Sequence, residues 1–483
     1  MEISKNIDDN IKNIKDLFGN SGDFQNRIIK INKKKVGYIY LESLSSDDKI
    51  SDFLVKNISS LVKSINIFKD LFTNLENTIY NSNLSVVTNL NDLIYRLASG
   101  FTIIFVDGYD KCISVETRSS IDRGVTESTS ESIIRGPKDS FTENPQINIG
   151  LIRKRIKDEN LWIKDYKIGR RSKTKVSIAY INGVALDENV KIIEDKIKKI
   201  DIDGILDSGY IKEFLTKKSK SSFPEMMSTE RPDIVSGALL EGKIAILVEN
   251  SPFVLIIPTF LIDFMHSAED YYQSHLNVAL TRLLRLLSFI LTIITPAFYI
   301  AVTTWNQEVI PNELLISLSI QKSGVPFPTA LELILMITTF EILREADIRM
   351  PNASGASVSI VGALILGEAA VSAGIVSPII IIVVAFTSIS GLVFTDIDFI
   401  NSIRTWRIVF IIFSTILGFI GLVVAFLIFI IKLCSMEYLK IPYTIPTSPI
   451  NLDMLKDSFI RFSRPKIKKR APYLSNNIKR QGD

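Results

Sequence analysis

The chain changes character near residue 281 of its 483. Before that point charged residues recur every few positions, and after it come apolar runs of membrane length. Ile408–Ile431 contains no charged residue, and as a helix it is long enough to cross the ~30 Å hydrocarbon core of a bilayer. Leu286–Thr304 is a second such run, and between Arg349 and Arg404 there is no Lys or Arg, with Glu368 the sole charge before Asp396. The pattern predicts a multidomain membrane protein with a water-soluble front and a helical back. The first residues, Met1-Glu-Ile-Ser-Lys5, are charged and lack the apolar core of an export signal, so the front is expected to stay cytosolic.

Composition removes several function classes. With 56 Lys and Arg against 52 Asp and Glu, the net charge of +4 does not argue for nucleic acid, and no Arg-rich stripe or base-stacking platform offsets that. The positive charge that matters is local, where Arg461, Arg464, Lys466, Lys468, Lys469, Arg470, Lys479 and Arg480 crowd the C-terminal tail. Lys466, Lys468, Lys469 and Arg470 are candidates for attraction to anionic lipid head groups on the cytoplasmic face. Two cysteines and two histidines supply neither a disulfide framework nor a zinc site nor His-based acid–base chemistry. No phosphate loop, nucleophile elbow or paired-carboxylate site is legible, so no catalytic residue, cofactor or metal is expected.

Periodicity divides the chain into an arm (1–50), a first α/β subdomain (51–130), a connector (131–160), a second α/β subdomain (161–280), a transmembrane domain (281–435) and a basic tail (436–483). The arm holds a turn at Gly19-Asn-Ser-Gly22 and a strand at Val36–Leu41. Helical spacing is read over Ser51–Ala98, followed by a hairpin of Phe101–Val106 and Cys112–Thr117. In the second subdomain Val176–Ile181, Ile244–Val248 and Phe253–Ile257 are predicted strands, and Glu188–Ile200 is an amphipathic helix. Asp201-Ile-Asp-Gly204 supplies too few oxygen ligands for a Ca²⁺ loop and reads as a helix end and turn.

Five apolar segments are candidate spans: 286–304, 328–346, 357–375, 378–395 and 408–431. The second carries Glu332, Glu341, Arg344 and Glu345, which suits an interfacial helix or the wall of a wet lumen. Arg282 and Arg285 before the first span and the basic tail after the last place both ends in the cytoplasm, so the crossings are even in number. The expected fold class is thus two small α/β cytosolic subdomains followed by a helical bundle of about four spans, with an interfacial or re-entrant segment at 306–350.

Glu368 lies among Gly362, Gly367, Ala369, Ala370, Ala373 and Gly374. A carboxylate at membrane depth costs several kcal/mol unless it meets water, a partner or a cation. One Glu from each subunit of a ring would form a cation-attracting collar, and the alternative is a neutral Glu used only in packing. Glu341 and Glu345 are further ion-path candidates, and Arg344 a subunit-contact candidate, against an ordinary interfacial helix. In the connector, Arg135, Gly136, Pro137 and Glu143, with Lys138, Arg153 and Arg155 nearby, suit either an inter-domain or subunit contact or a solvated linker.

Arg135-Gly-Pro-Lys-Asp-Ser-Phe-Thr-Glu143 resembles the RGP-x-x-x-F-x-E signature of A subunits of the GerA-family spore germinant receptors. More matches follow in the family's order: Val176–Gly183, Ile200–Tyr210, Thr229-Glu-Arg-Pro-Asp233, Leu240–Val248, Asp270-Tyr-Tyr-Gln273, Pro326-Phe-Pro328, Phe340–Ala346 and Ile360–Ala370. The resemblance covers roughly residues 50–435. It implies a receptor in the spore inner membrane, with a transporter-like B subunit and a lipoprotein C subunit as partners. It further implies A subunits that form a homo-oligomer around a pore releasing monovalent cations. A pore-free scaffold or signalling subunit, including a sporulation-specific paralogue that aids ion transport, is the alternative. A lone transporter fits less well, since such folds show inverted repeats and about ten spans.

Overall fold

The computed structural model describes residues 3–31, 34–52, 56, 71–79, 83–119, 131, 133–216, 222–349 and 366–480. The chain divides into two compact units. One comprises 1–219, 225–259 and 464–483, and the other 220–224 and 260–463.

The front unit contains one strand arrangement twice. The strands β1 (Phe24–Ile31), β2 (Lys34–Leu41), β3 (Leu84–Val87), β4 (Phe101–Val106) and β5 (Cys112–Glu116) form an antiparallel sheet in the order β1-β2-β4-β5-β3. The strands β6 (Leu161–Ile168), β7 (Thr174–Ile181), β8 (Met227–Thr229), β9 (Ile244–Val248) and β10 (Val254–Ile257) repeat it as β6-β7-β9-β10-β8. Register repeats too, with Val36 opposite Val106 and Val176 opposite Val248. The sequence carries the echo, Val36-Gly-Tyr-Ile-Tyr-Leu41 against Val176-Ser-Ile-Ala-Tyr-Ile181.

Each sheet buries apolar side chains on both faces. Helix α1 (Ile7–Leu17) is capped by Asn6, which accepts from the Asp8 amide, and it presses Ile7, Ile11 and Ile14 onto Ile39, Leu41 and Phe105. Helix α2 (Leu71–Thr78) covers the opposite face, with Phe72 and Leu75 against Val36, Ile104 and Val115. Helix α3 (Leu90–Ala98) adds Leu93 and Leu97 to the α1 side. On the second sheet α4 (Pro145–Arg155) and α7 (Pro232–Leu240) share one core with Ile163, Ala179 and Leu247. Helices α5 (Asp187–Lys198) and α6 (Ser208–Leu215) bury Ile193, Ile197, Ile211 and Leu215. Full burial of an aliphatic or aromatic side chain contributes about 1.5–3 kcal/mol.

Helical spacing over 51–98 does not hold throughout. Most of 53–70 lies outside the described residues, and β3 interrupts the rest, because Leu84-Ser-Val-Val87 pairs with β5. A four-residue strand is too short for its period to show against helices on both sides.

The two sheets are joined through the early turn. Gly22 donates its amide to the Ile163 carbonyl at 3.0 Å, and Ser21 Oγ accepts from the Ile163 amide at 3.0 Å. Gly19 has φ +62°, and a Cβ there would lie 2.1 Å from the Trp162 ring, so glycine is required twice over. Beside this turn Arg153 of α4 makes a bidentate pair with Asp23, at 2.6 and 2.8 Å, and both side chains are almost fully buried. Ser43 Oγ donates to the same carboxylate at 2.6 Å.

The tail does not stand alone. Ile467 and Leu474 are buried within the front unit, Ser475 bridges to Ala185, and Arg480 pairs with Glu241. Gly242 has φ +93°, and a Cβ there would meet the Leu474 carbonyl oxygen at 2.6 Å.

In the helical unit α8 (His275–Ile300) continues through a π turn to Trp305. Helix α9 (Asn312–Lys322) buries none of its residues. Helix α10 (Thr329–Arg349) packs Leu333 against Ile300 and Ile411, and Met336 against Val376 and Ile380. That packing departs from the interfacial reading of 328–346. Most of candidate 357–375 falls outside the described residues, its remainder being helical over 366–372. Helix α11 (Pro378–Gly391) is apolar but short.

The run at 408–431 is not one straight crossing. It belongs to α12 (Ile397–Ser435), within which Gly418 takes φ +60° and ψ −135°, a corner conformation that L side chains avoid. Trp406 and Phe429 have ring centroids 4.9 Å apart, whereas a continuous helix would separate these positions by about 34 Å. The helix therefore folds back as a hairpin with arms 397–417 and 419–435. Its tip meets the end of the first helix, where Trp305 Nε1 donates to the Thr415 carbonyl at 3.1 Å. Among the described residues, two helical segments are long and apolar enough to cross a membrane by length and composition, His275–Trp305 and Ile397–Ser435, the latter taken across its reversal.

Asp23→Ala leaves the Arg153 guanidinium buried without its carboxylate. A loss of about 3–5 kcal/mol is expected, measured by urea unfolding of the front unit's tryptophan signal. Wild-type stability in that variant would show that the pair does not join the sheets.

Candidate functional site in the helical unit

The carboxylates and arginines of the apolar half form three groups. At the first, Glu341 of α10 faces Arg404 and Arg407 of α12. Arg407 Nη2 donates to Oε1 at 2.7 Å, and Arg404 Nη2 and Arg344 Nη2 lie 3.2 and 3.3 Å from Oε2. Arg404 and Arg407 share a face at i,i+3, which is why one carboxylate reaches both. Spacing along the chain brings only Arg344 to Glu341, at i,i+3. The two further arginines are 60 or more positions away in the chain, and only the packing of α10 on α12 brings them in. Glu345 is exposed one turn on.

The second group is centred on Glu332. Its side chain is buried, Oε2 accepts from the Ser377 amide at 3.0 Å, and Oε1 is enclosed without a hydrogen-bond partner. Ser377 precedes α11, so the carboxylate sits at a helix N-terminus, where the dipole favours negative charge. Glu368, the carboxylate expected at membrane depth, is exposed in the single chain on the helical segment 366–372. Within α10 the enclosed carboxylate is Glu332, which its charged neighbours in the sequence disguised.

The third group stands at the start of α8. Asp270 is buried and accepts from Arg282 Nε at 2.9 Å and from Arg285 Nη1 at 2.7 and 2.9 Å. Burial opposes its ionisation, but Arg285 and Arg282 outweigh burial and hold the carboxyl below its usual range. Arg282 Nη1 also reaches Asp457 and the Ser458 carbonyl, each at 3.0 Å, and Arg461 donates to the Asp270 carbonyl. Arg461, one of the basic residues of the tail, is buried. His266 is also buried, with Nε2 2.9 Å from the Ser458 carbonyl.

The connector residues lie in the front unit. Pro137 accepts through its carbonyl from Arg231 Nη2 at 3.0 Å, and Arg231, itself buried, holds Asp233 at 2.7 Å. This joins the RGP segment to Thr229-Glu-Arg-Pro-Asp233. Gly136 takes φ +142° in an exposed loop, and Arg135 and Glu143 are exposed beside it. Arg155 pairs with Asp139 at 2.6 Å. In the tail Lys466, Lys468 and Lys469 are exposed, whereas Arg470 donates to the Leu240 carbonyl at 2.7 Å. Among the described residues no cluster of His, Cys, Asp and Glu could hold a metal ion.

Burial pushes His266 down to about 4 from 6.5, and Arg282 adds to the effect. The unfolded chain then takes up the proton first, so the stabilisation is fully present above the unfolded value and is lost as pH falls toward 4. Acidification from pH 7.5 to 5 is expected to destabilise this unit by about 2 kcal/mol in thermal unfolding. His266→Gln should flatten that slope, and parallel losses in both proteins would assign it to another group.

Comparison with known proteins places these motifs in a family. Residues 12–473 match the Bacillus/Clostridium GerA spore germination protein family. The chain is 38% identical to spore germination protein KA of Bacillus subtilis, over 99% of this chain and 89% of that protein. It is 35% identical to the uncharacterized membrane protein YfkQ of the same organism, over 95% and 89%. The crystal structure of the N-terminal domain of the A subunit of the Bacillus megaterium spore germinant receptor GerK3 aligns with 53% of this chain and 96% of that domain. Its identity is 33% and its TM-score 0.40. The chain belongs to the GerA family of spore germination proteins, among its A subunits.

Proposed function

We propose that this protein is the A subunit of a nutrient germinant receptor in the spore inner membrane, and that its helical unit assembles with other copies to form or gate a cation path. The observation that carries this reading is the exposure of Glu368. The segment bearing it packs Gly367, Ala370 and Val371 inward, near Ile381 and Met336, and leaves Glu368, Ala369, Ser372 and Ala373 uncovered. A carboxylate facing lipid costs several kcal/mol, and small residues permit close helix approach. Further copies of the chain, arranged around water, would remove that cost and align the carboxylates. Transporter-like B and lipoprotein C partners follow from family membership.

Topology supports the assignment of both ends to one side. Residues 467–480 fold into the front unit, so a chain that enters the bilayer after residue 275 returns to the side it left. With 357–375 kept as a candidate from the sequence alone, the passes number six: 286–304, α10, 357–375, 378–395 and the two arms of the hairpin at Gly418. Cysteines introduced at Leu314 and at the hairpin tip should then be labelled only from the far side, and labelling of either from the front-unit side would refute the count.

In spores, Glu368→Gln is expected to slow monovalent-cation release after nutrient addition by at least tenfold, with the protein still present in the membrane. Unchanged release would leave the pore-free scaffold reading.

A further inference from the structure

Helix α8 carries an apolar stripe that its own chain leaves uncovered. Leu276, Leu280, Leu283, Leu287 and Ile290 follow one another at steps of four, three, four and three residues. At 3.6 residues per turn all five fall within an arc of roughly 80°. Each is exposed, from 72% at Leu276 to 42% at Ile290. The chain covers the opposite face, where Val278, Arg282, Phe289 and Thr292 are buried. Arg282 and Arg285 lie on that face and are neutralised there by Asp270. The leucine stripe therefore points away from the rest of the helical unit.

Lipid does not account for the whole stripe. The first crossing begins at Leu286, and about 20 residues of helix span the hydrocarbon core, which brings the far side to the Trp305 turn. Leu276, Leu280 and Leu283 precede that crossing, Leu276 by about 15 Å of helix, at the level of the Asp270 ion pairs. A continuous row of exposed leucines outside the hydrocarbon marks a protein contact. The spacing identifies its partner, because a repeat of four and three keeps a seam turned toward another helix that supercoils with it. Copies of the chain in one membrane share one orientation, so their α8 helices run parallel. The positions beside the seam, Asn277 and Leu284 on one side and Ala279 and Leu286 on the other, carry no charge. Identical helices can thus meet there without repulsion.

We propose that α8 is a surface through which copies of this chain meet, its leucine stripe forming a parallel coiled-coil seam at the entrance to the membrane. This seam is a contact between the copies assembled under the proposed function, and it rests on that reading.

The test uses the full chain in spore membranes, with Cys434→Ser removing the exposed native thiol and Cys112 buried. Single cysteines are then placed on α8 and treated with a short bis-maleimide. Leu276→Cys, Leu280→Cys and Leu283→Cys should each give a product of two linked chains, about tenfold more than Thr281→Cys, which stands off the stripe. Leu280→Glu sets like charges against one another on the seam and should lower linking at Leu283→Cys by about tenfold, with the protein still in the membrane. Where Leu280→Glu is not retained, the cysteine series decides alone. Linking at Thr281→Cys equal to that at the leucine positions would overturn the seam. So would its absence at all three leucines while an amine-reactive reagent still links copies of the chain. A product joining this chain to a different protein would overturn the second copy as occupant. Failure of the amine-reactive reagent to link any copies would instead refute the assembly itself, which separates the two.

Discussion

Two arginines on the first turns of an apolar helix must be neutralised where they stand, and Asp270 does this from the segment just before the helix. Its carboxylate takes Arg282 and Arg285, and its backbone carbonyl takes Arg461 from nearly 200 residues later. Removing any one partner would leave a buried charge with a net cost of several kcal/mol. The network therefore holds the start of α8 against residues 457–461, and this makes the last part of the chain a structural element of the helical unit. After it, residues 467–480 continue into the front unit, where Gly242 leaves room for the Leu474 carbonyl. The tail thus contributes to both units in turn.

The same logic recurs at each buried charge. Arg153 reaches Asp23, Arg231 reaches Asp233 and the Pro137 carbonyl, and Glu332 reaches the Ser377 amide. Apart from Asp233, two residues from Arg231 at the start of the same helix, each partner comes from a different element, so each of those pairs specifies which elements meet. Around Glu341 three guanidiniums converge on one carboxylate, two of them from α12. Glu368 is the reverse case, a carboxylate on a face left uncovered in the single chain, and that exposure is the ground for assembly.

The strands were largely legible because β-branched runs bounded by Gly, Asn and Pro are hard to mistake. Ile244–Val248 and Phe101–Val106 appear with the boundaries expected. β1 escaped because Phe24–Ile31 is rich in polar residues at the edge of its sheet, and β3 because it is four residues long. The duplication of the sheet was available in the chain as Val36–Leu41 against Val176–Ile181, a faint signal when two strands are read one at a time. Among the site residues, Glu341, Arg344 and Glu368 stood out because charge is conspicuous in apolar surroundings, but their partners did not.

The sequence by itself determined the division into a charged front and an apolar back, the family, and the identity of most strands, because these follow from local composition and short-range period. Only the tertiary structure decided that the 408–431 run reverses at Gly418, that α10 packs on α8, α11 and α12, and that Glu332 is enclosed while Glu368 is uncovered in the single chain. An uncharged helix of sufficient length is the same string of residues whether it is straight or folded back. The difference lies in one glycine dihedral and in the contact of Trp406 with Phe429, which no local pattern encodes.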